Sequence, residues 1–199
     1  IQIFNFGILI FVEIKKPIPL KVPIRPLSKI LMRKTVIIAI LAASVGYSLM
    51  SFIMTATPLQ IVNVCKLGDS ASATVIQWHV IAMFAPSFFT GSIINLLGNR
   101  KVMMMGVMLY IMSICFGIMG QTIQYFWISL FLCGLGWNFL YVGGSDIIAK
   151  SALPEERAKV QGVTDFIIFI FVASGSFLAG SLHNNLGWEI MMLYTSIPI

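Results

Sequence analysis

The 199-residue chain is 58% hydrophobic and only 10% charged, with thirteen Lys and Arg against seven Asp and Glu for a formal net charge of +6. An ordinary soluble domain carries about a quarter charged residues, so this balance excludes a soluble enzyme and a basic nucleic-acid-binding module, and points to a membrane protein.

Residues 1–12 are apolar but supply about half of the ~20 residues that a helix needs to cross the hydrocarbon, so they are expected to be the truncated end of a preceding span. Residues 13–35 interleave seven cations, among them Arg25, Lys29, Arg33 and Lys34, with Pro17, Pro19, Pro23 and Pro26. Too polar to insert and too rich in proline for one helix, this segment reads as a cytosolic linker between two membrane bundles. Its simpler role is attraction to anionic lipid.

Residues 36–199 read as a C-terminal transmembrane bundle. No Asp, Glu, Lys or Arg occurs in residues 35–65, 70–99, 102–145 or 166–188. The first, second and fourth stretches each hold one crossing. The third is right for two, broken at its polar cluster Gly120-Gln121-Thr122-Ile123-Gln124. Five complete spans are predicted near 36–57, 73–97, 102–120, 123–149 and 163–182, with a partial span over 190–199. The fold class is an all-α integral membrane helical bundle, expected to belong to a longer protein.

Twelve of the thirteen cations fall in alternate gaps between these stretches, with Lys66 the exception. Short loops rich in Lys and Arg stay cytosolic, so the loops around Arg100–Lys101 and around Lys150, Arg157 and Lys159 face the cytosol, while Lys66 and Asp69 lie outside. A multi-pass protein of the plasma membrane, the inner membrane of a bacterium, is the expected location. The cations thus need no nucleic-acid partner. Cys65, Cys115 and Cys133 form no CxxC pair, so no disulfide framework, metal site or cofactor is indicated.

The loop Gly91-Ser92-Ile93-Ile94-Asn95-Leu96-Leu97-Gly98-Asn99-Arg100-Lys101 resembles the cytosolic G-x-L-a-D-r-x-G-r-k loop of the major facilitator superfamily. Gly91, Gly98 and Arg100 match; Asn95 stands at the acidic position, and Leu96 and Asn99 replace basic residues. Leu153-Pro154-Glu155-Glu156-Arg157-Ala158-Lys159-Val160-Gln161-Gly162 resembles the P-x-x-x-R-x-x-x-x-G loop between the tenth and eleventh spans of that family. Physically, Pro154 and the two glutamates suit the first turn of a helix. Further runs, including Gln77-Trp78-His79 and Gly136-Trp137-Asn138-Phe139, are similar to a bacterial subgroup without a defined substrate.

The resemblance implies the C-terminal half of a twelve-span secondary transporter, its spans being the seventh to eleventh and its linker the central loop. It implies that the seventh and tenth spans line the transport cavity, making Tyr47, Met50, Met54, Trp137, Asn138 and Tyr141 the candidate wall. It marks Gly91, Asn95, Gly98, Arg100 and Lys101 as a conformational-switch loop, and Pro154, Glu156 and Arg157 as a second cytosolic loop. His79 and Asp165 are the candidate coupling residues, an imidazole that titrates near physiological pH and an acid within the span predicted over 163–182. For each the plainer role is structural: interhelical hydrogen bonding for Asn138, interfacial packing around His79, a water-facing helix end for Asp165.

The favoured function is alternating-access transport of a small solute in the lipid bilayer, with a proton as candidate co-substrate and the missing N-terminal half as partner. A non-functional remnant of a broken transporter gene is the second reading. An integral membrane enzyme is the third, disfavoured because the sequence has no HExxH, intramembrane carboxylate pair, Cys-His pair or phosphate loop.

Overall fold

A computed structural model describes residues 25–198, and every described element is helical. The expected truncated span at 1–12, and the part of the linker before Arg25, lie outside the described residues. A short helix α1 (Leu27–Leu31) precedes α2 (Lys34–Pro58), which continues without a break through a π-helical turn, Leu59–Val64. Then follow α3 (Asp69–Phe84), α4 (Ser87–Leu97), α5 (Asn99–Met119), α6 (Ile123–Ser151), α7 (Pro154–Leu186) and α8 (Trp188–Tyr194).

Four of these helices are individually long and apolar enough to cross a membrane, and the bent pair α3–α4 makes a fifth crossing if counted as one span. Three boundaries differ from the sequence reading. The span expected to run unbroken over 73–97 is two helices bent by 43° at Ala85-Pro86. Proline offers no N–H to the turn before it, so the ladder stops at the Ala85 N–H···O Ile81 bond and restarts with Phe89 and Thr90 bonding back to Pro86. The first span extends to Val64 rather than ending near Thr57. Just after Pro58 interrupts its ladder, the helix widens into the π turn. The helix that carries the fifth span starts at Pro154, ahead of the span predicted from Val163, because Pro154 at N1 and Glu156 at N3 cap it, the Glu156 carboxylate accepting the Leu153 N–H at 3.0 Å.

The outside of the bundle is as apolar as its core, and polar side chains share the interior with the apolar ones. Phe88 is 85% exposed and Phe177 84%, while Ser44, Thr57, Gln60, His79, Thr90, Ser113, Ser129 and Asn138 are buried. Lipid tails solvate phenylalanine as well as a core does, but they offer polar groups nothing, so polar side chains turn inward and pair. Ser113 and Ser129 each donate to the other's carbonyl across α5 and α6, and the Tyr110 hydroxyl donates to the Gly46 carbonyl of α2.

Helix α6 is the hub, packed against α2, α3 and α5, while α2 also packs along α7. The close approaches are made at glycines. A Cβ on Gly134 would stand 2.7 Å from the His79 carbonyl oxygen, one on Gly136 2.9 Å from the Tyr110 ring, and one on Gly144 3.0 Å from the Ala39 carbonyl oxygen. On the α2–α7 seam Gly175 faces the Ser48 backbone, and Ser51 and Ser176 share a hydroxyl–hydroxyl bond of 2.5 Å. Gly180, at equivalent helical spacing, faces open space.

Gly134→Ala is therefore expected to lower stability by about 1–3 kcal/mol, the cost of overpacking against a backbone that cannot retreat. Gly180→Ala serves as the control, neutral or slightly stabilising. Reversible unfolding of the purified protein in mixed micelles reads both.

Candidate functional site

Helix α6 presents Trp137 and Tyr141 one turn apart, so their rings align, stacked at 5.1 Å between centroids and 8° between planes. Tyr47 of α2 meets both edge-on, at 5.1 Å to Trp137 and 5.3 Å to Tyr141. Phe84 of α3 closes on Trp137 at 5.8 Å, and Phe169 of α7 on Tyr47 at the same distance. Edge-to-face contact sets the positive rim of one ring against the negative face of the next. Four helices thus converge on one aromatic cluster. Its outer members, Phe84 and Phe169, are more than half exposed, Tyr47 and Tyr141 are half-buried, and Trp137 is 5% exposed at its back. The indole Nε1 of Trp137 has no acceptor among the described residues.

The other expected wall residues are placed differently. Met50 is buried in the core with Leu49, Phe52 and Ile53, and Met54 is half-buried against the same core. Asn138, also expected on the cavity wall, is completely buried. Its Nδ2 donates to the Met83 carbonyl at 2.7 Å and to Ser87 Oγ at 2.6 Å, and its Oδ1 lies 2.6 Å from the Thr90 hydroxyl. The break at Pro86 leaves Met83 without its donor four residues on, and Asn138 supplies one from α6. All its polar capacity is spent on splinting the bent span.

His79 is also fully buried. Its Nδ1 lies 2.7 Å from the Leu130 carbonyl, which can only accept, so Nδ1 carries the hydrogen and Nε2 is left as a bare acceptor without a partner among the described residues. A second proton would find no acceptor there, and the contact reads as an α3–α6 brace. Asp165, half-buried near the cytosolic end of α7, accepts one bond from Gln161 at 2.9 Å and makes no ion pair among the described residues; Lys150 pairs with Asp146 instead.

In the first cytosolic turn Gly98 takes φ +84°, a left-handed backbone that terminates α4 and starts α5 within one residue. Gly91, Asn95, Arg100 and Lys101 are exposed. The docking residue is Asn99, overlooked in the sequence because it occupies a position expected to be basic. Its amide donates to the Gly143 carbonyl and to Asp146 Oδ2, both at 2.9 Å, fastening the turn to α6.

In the second loop Pro154 and Arg157 are exposed, whereas the Glu156 side chain is 2% exposed and receives Arg25 Nη2 at 2.6 Å. Those hydrogen bonds from Arg25 hold the Glu156 carboxyl, which lies before the charge-free part of α7, down at about 2 against an ordinary 4.5. A carboxyl lowered in this way adds stability above its ordinary value, and that increment is lost as pH falls from about 4.5 towards 2.

At the outer end lies a third polar group that the sequence did not single out. The Gln60 amide donates to Gln121 Oε1 at 3.0 Å, so its oxygen accepts from His183 Nε2 at 2.9 Å, joining α2, the α5–α6 turn and α7. Its only advance signal was the polar cluster containing Gln121.

Residues 36–199 match the family description Major Facilitator Superfamily. The riboflavin transporter RfnT of Brucella anthropi is 43% identical over 165 residues, which is 83% of this chain and 41% of that protein. The uncharacterized MFS-type transporter YdeG of Bacillus subtilis is 31% identical over 75% of this chain and 35% of its own length. The multidrug resistance protein MdtL of Vibrio parahaemolyticus is 25% identical over 63% of this chain and 33% of its own. The chain thus spans about two fifths or less of these relatives, which are transporters rather than enzymes. With a matching profile over most of its length and this helical, lipid-facing bundle, the chain belongs to the Major Facilitator Superfamily.

Proposed function

We propose that this chain forms the C-terminal half of a secondary transporter of the plasma membrane, moving a small planar aromatic solute by alternating access. The aromatic cluster carries the proposal: the half-buried rings of Tyr47 and Tyr141, backed by the buried Trp137 and rimmed by Phe84 and Phe169, form a wall that offers π-surface and no charge. A fused heteroaromatic ring system stacks on such a wall with roughly 1–3 kcal/mol per ring. The relative named as a riboflavin transporter supports this class of solute, since its covered region shares 43% of its residues with this chain.

In this reading Trp137 Nε1, buried and without an acceptor among the described residues, becomes the hydrogen-bond donor for a polar edge of the solute only when the cluster opens in the transport cycle. Asp165 is the carboxylate for proton coupling, being half-buried in a span and without a cationic partner among the described residues. A proton held there is exchanged with the cytosol at the near end of α7. His79 and Asn138 stand behind the wall and keep its helices in register. The residues preceding α1 are the central loop joining the two halves of the transporter.

Three outcomes test this in the intact protein reconstituted with its other half. Riboflavin flux is expected to fall roughly tenfold in Tyr141→Ala and Trp137→Ala through a raised KM, with Trp137→Phe and Tyr47→Phe retaining most of it; unchanged flux in the alanine variants overturns the wall. Asn138→Leu should instead lower thermal stability by about 1–3 kcal/mol, leaving KM near wild type in the folded fraction. Asp165→Asn should abolish the response of flux to a pH gradient while solute exchange persists.

A further inference from the structure

The Arg25–Glu156 contact is far more elaborate than a surface ion pair. Glu156 Oε1 accepts the Arg25 backbone N–H at 2.9 Å and Nε at 3.1 Å; Oε2 accepts Nε at 3.2 Å, Nη2 at 2.6 Å and the Leu153 N–H at 3.0 Å. Arg25 Nη2 also reaches the Ser151 carbonyl at 3.3 Å, so one side chain grips the end of α6 and the start of α7 together. Beside it α1 lies on an apolar bed, with Ile30 1% exposed against Val36, Ile40, Ile148, Ala152 and Val160. Glu155 and Arg157, the neighbouring charges on the loop, are exposed and outside the contact. A carboxylate this covered is costly unless paired, so its position at N3 serves the arginine as well as the helix cap.

We propose that Glu156 is a docking site for the chain entering the bundle, and that Arg25 seated in it sets the length of free tether between the two halves of the transporter. This rests on the reading of residues 13–35 as the inter-half linker. With Arg25 docked, the linker is anchored to this bundle at Arg25; with it released, the anchor moves eight residues on to Arg33, which adds roughly 27 Å of reach at most. Alternating access swings the halves against one another, and the shorter tether restricts how far their cytosolic ends separate. Glu156 is thus a positioning residue for the transport cycle, acting through the linker and touching no solute.

Hydrogen exchange of the intact transporter in nanodiscs tests this directly. Glutamine at N3 makes the same cap to Leu153 but carries no charge, so Glu156→Gln isolates the arginine contact from the helix end. Glu156→Gln and Arg25→Gln are each expected to speed exchange in residues 27–31 at least tenfold, while the Arg157 amide, bonded to the Leu153 carbonyl at 3.0 Å, stays protected. The double variant should exchange no faster than either single one. Unchanged exchange at 27–31 in both single variants overturns the docking site. The same variants should alter riboflavin flux at least twofold, and exchange that rises while flux stays at the wild-type value overturns the tether role. Absence of riboflavin flux in the wild-type protein sinks the transporter reading alone, since exchange still decides the docking.

Discussion

Helix α6 can lie between three other spans only because its backbone comes within contact of theirs. Lipid gives no hydrophobic reward for bringing two apolar helices together, so association depends on close van der Waals approach and on hydrogen bonds that lipid cannot replace. Both are concentrated on α6. Gly134, Gly136 and Gly144 let α3, α5 and α2 come up to backbone distance, and Ser129 and Asn138 make polar bonds across two of those seams. Each such bond contributes little, about 0.6 kcal/mol on average in membrane proteins. Together with the glycine contacts they leave α6 little freedom to rotate.

The aromatic wall follows from that restraint. Once α6 is held in rotation by its glycines, Trp137 and Tyr141 project together on the side away from α5, where Tyr47 of α2 meets them. The same geometry explains why neighbouring residues have opposed fates. Asn138 follows Trp137 by one position, about 100° around the helix, and so points into the α3–α4 break and not along the wall. Pro86 and Asn138 form one device: the proline bends the span, and the amide satisfies the carbonyl that the bend exposes.

Much of the cytosolic side was legible because loops reveal themselves by charge and turn chemistry. The charge-free stretches marked the crossings, and Pro154 with Glu156 marked a helix start. The partner of Glu156 was not legible, since Arg25 is 131 positions away and its neighbours are equally basic. Asn99 was missed for a related reason: its fit to Gly143 and Asp146 depends on where the turn lands on α6. The Gln60–Gln121–His183 group was invisible because each member alone looks like an ordinary polar residue near the end of a span.

The sequence by itself determined the solvent and the spans, because hydropathy over ~20 residues is a local, additive property of the chain. Only the tertiary structure decided which polar residues find partners inside the bundle. That choice depends on helix rotation, which is set by contacts between residues far apart in sequence. Asn138 and His79 look alike in the chain as polar residues within spans, and the packing of α6 against α3 gives each its backbone partner, the Met83 carbonyl for one and the Leu130 carbonyl for the other.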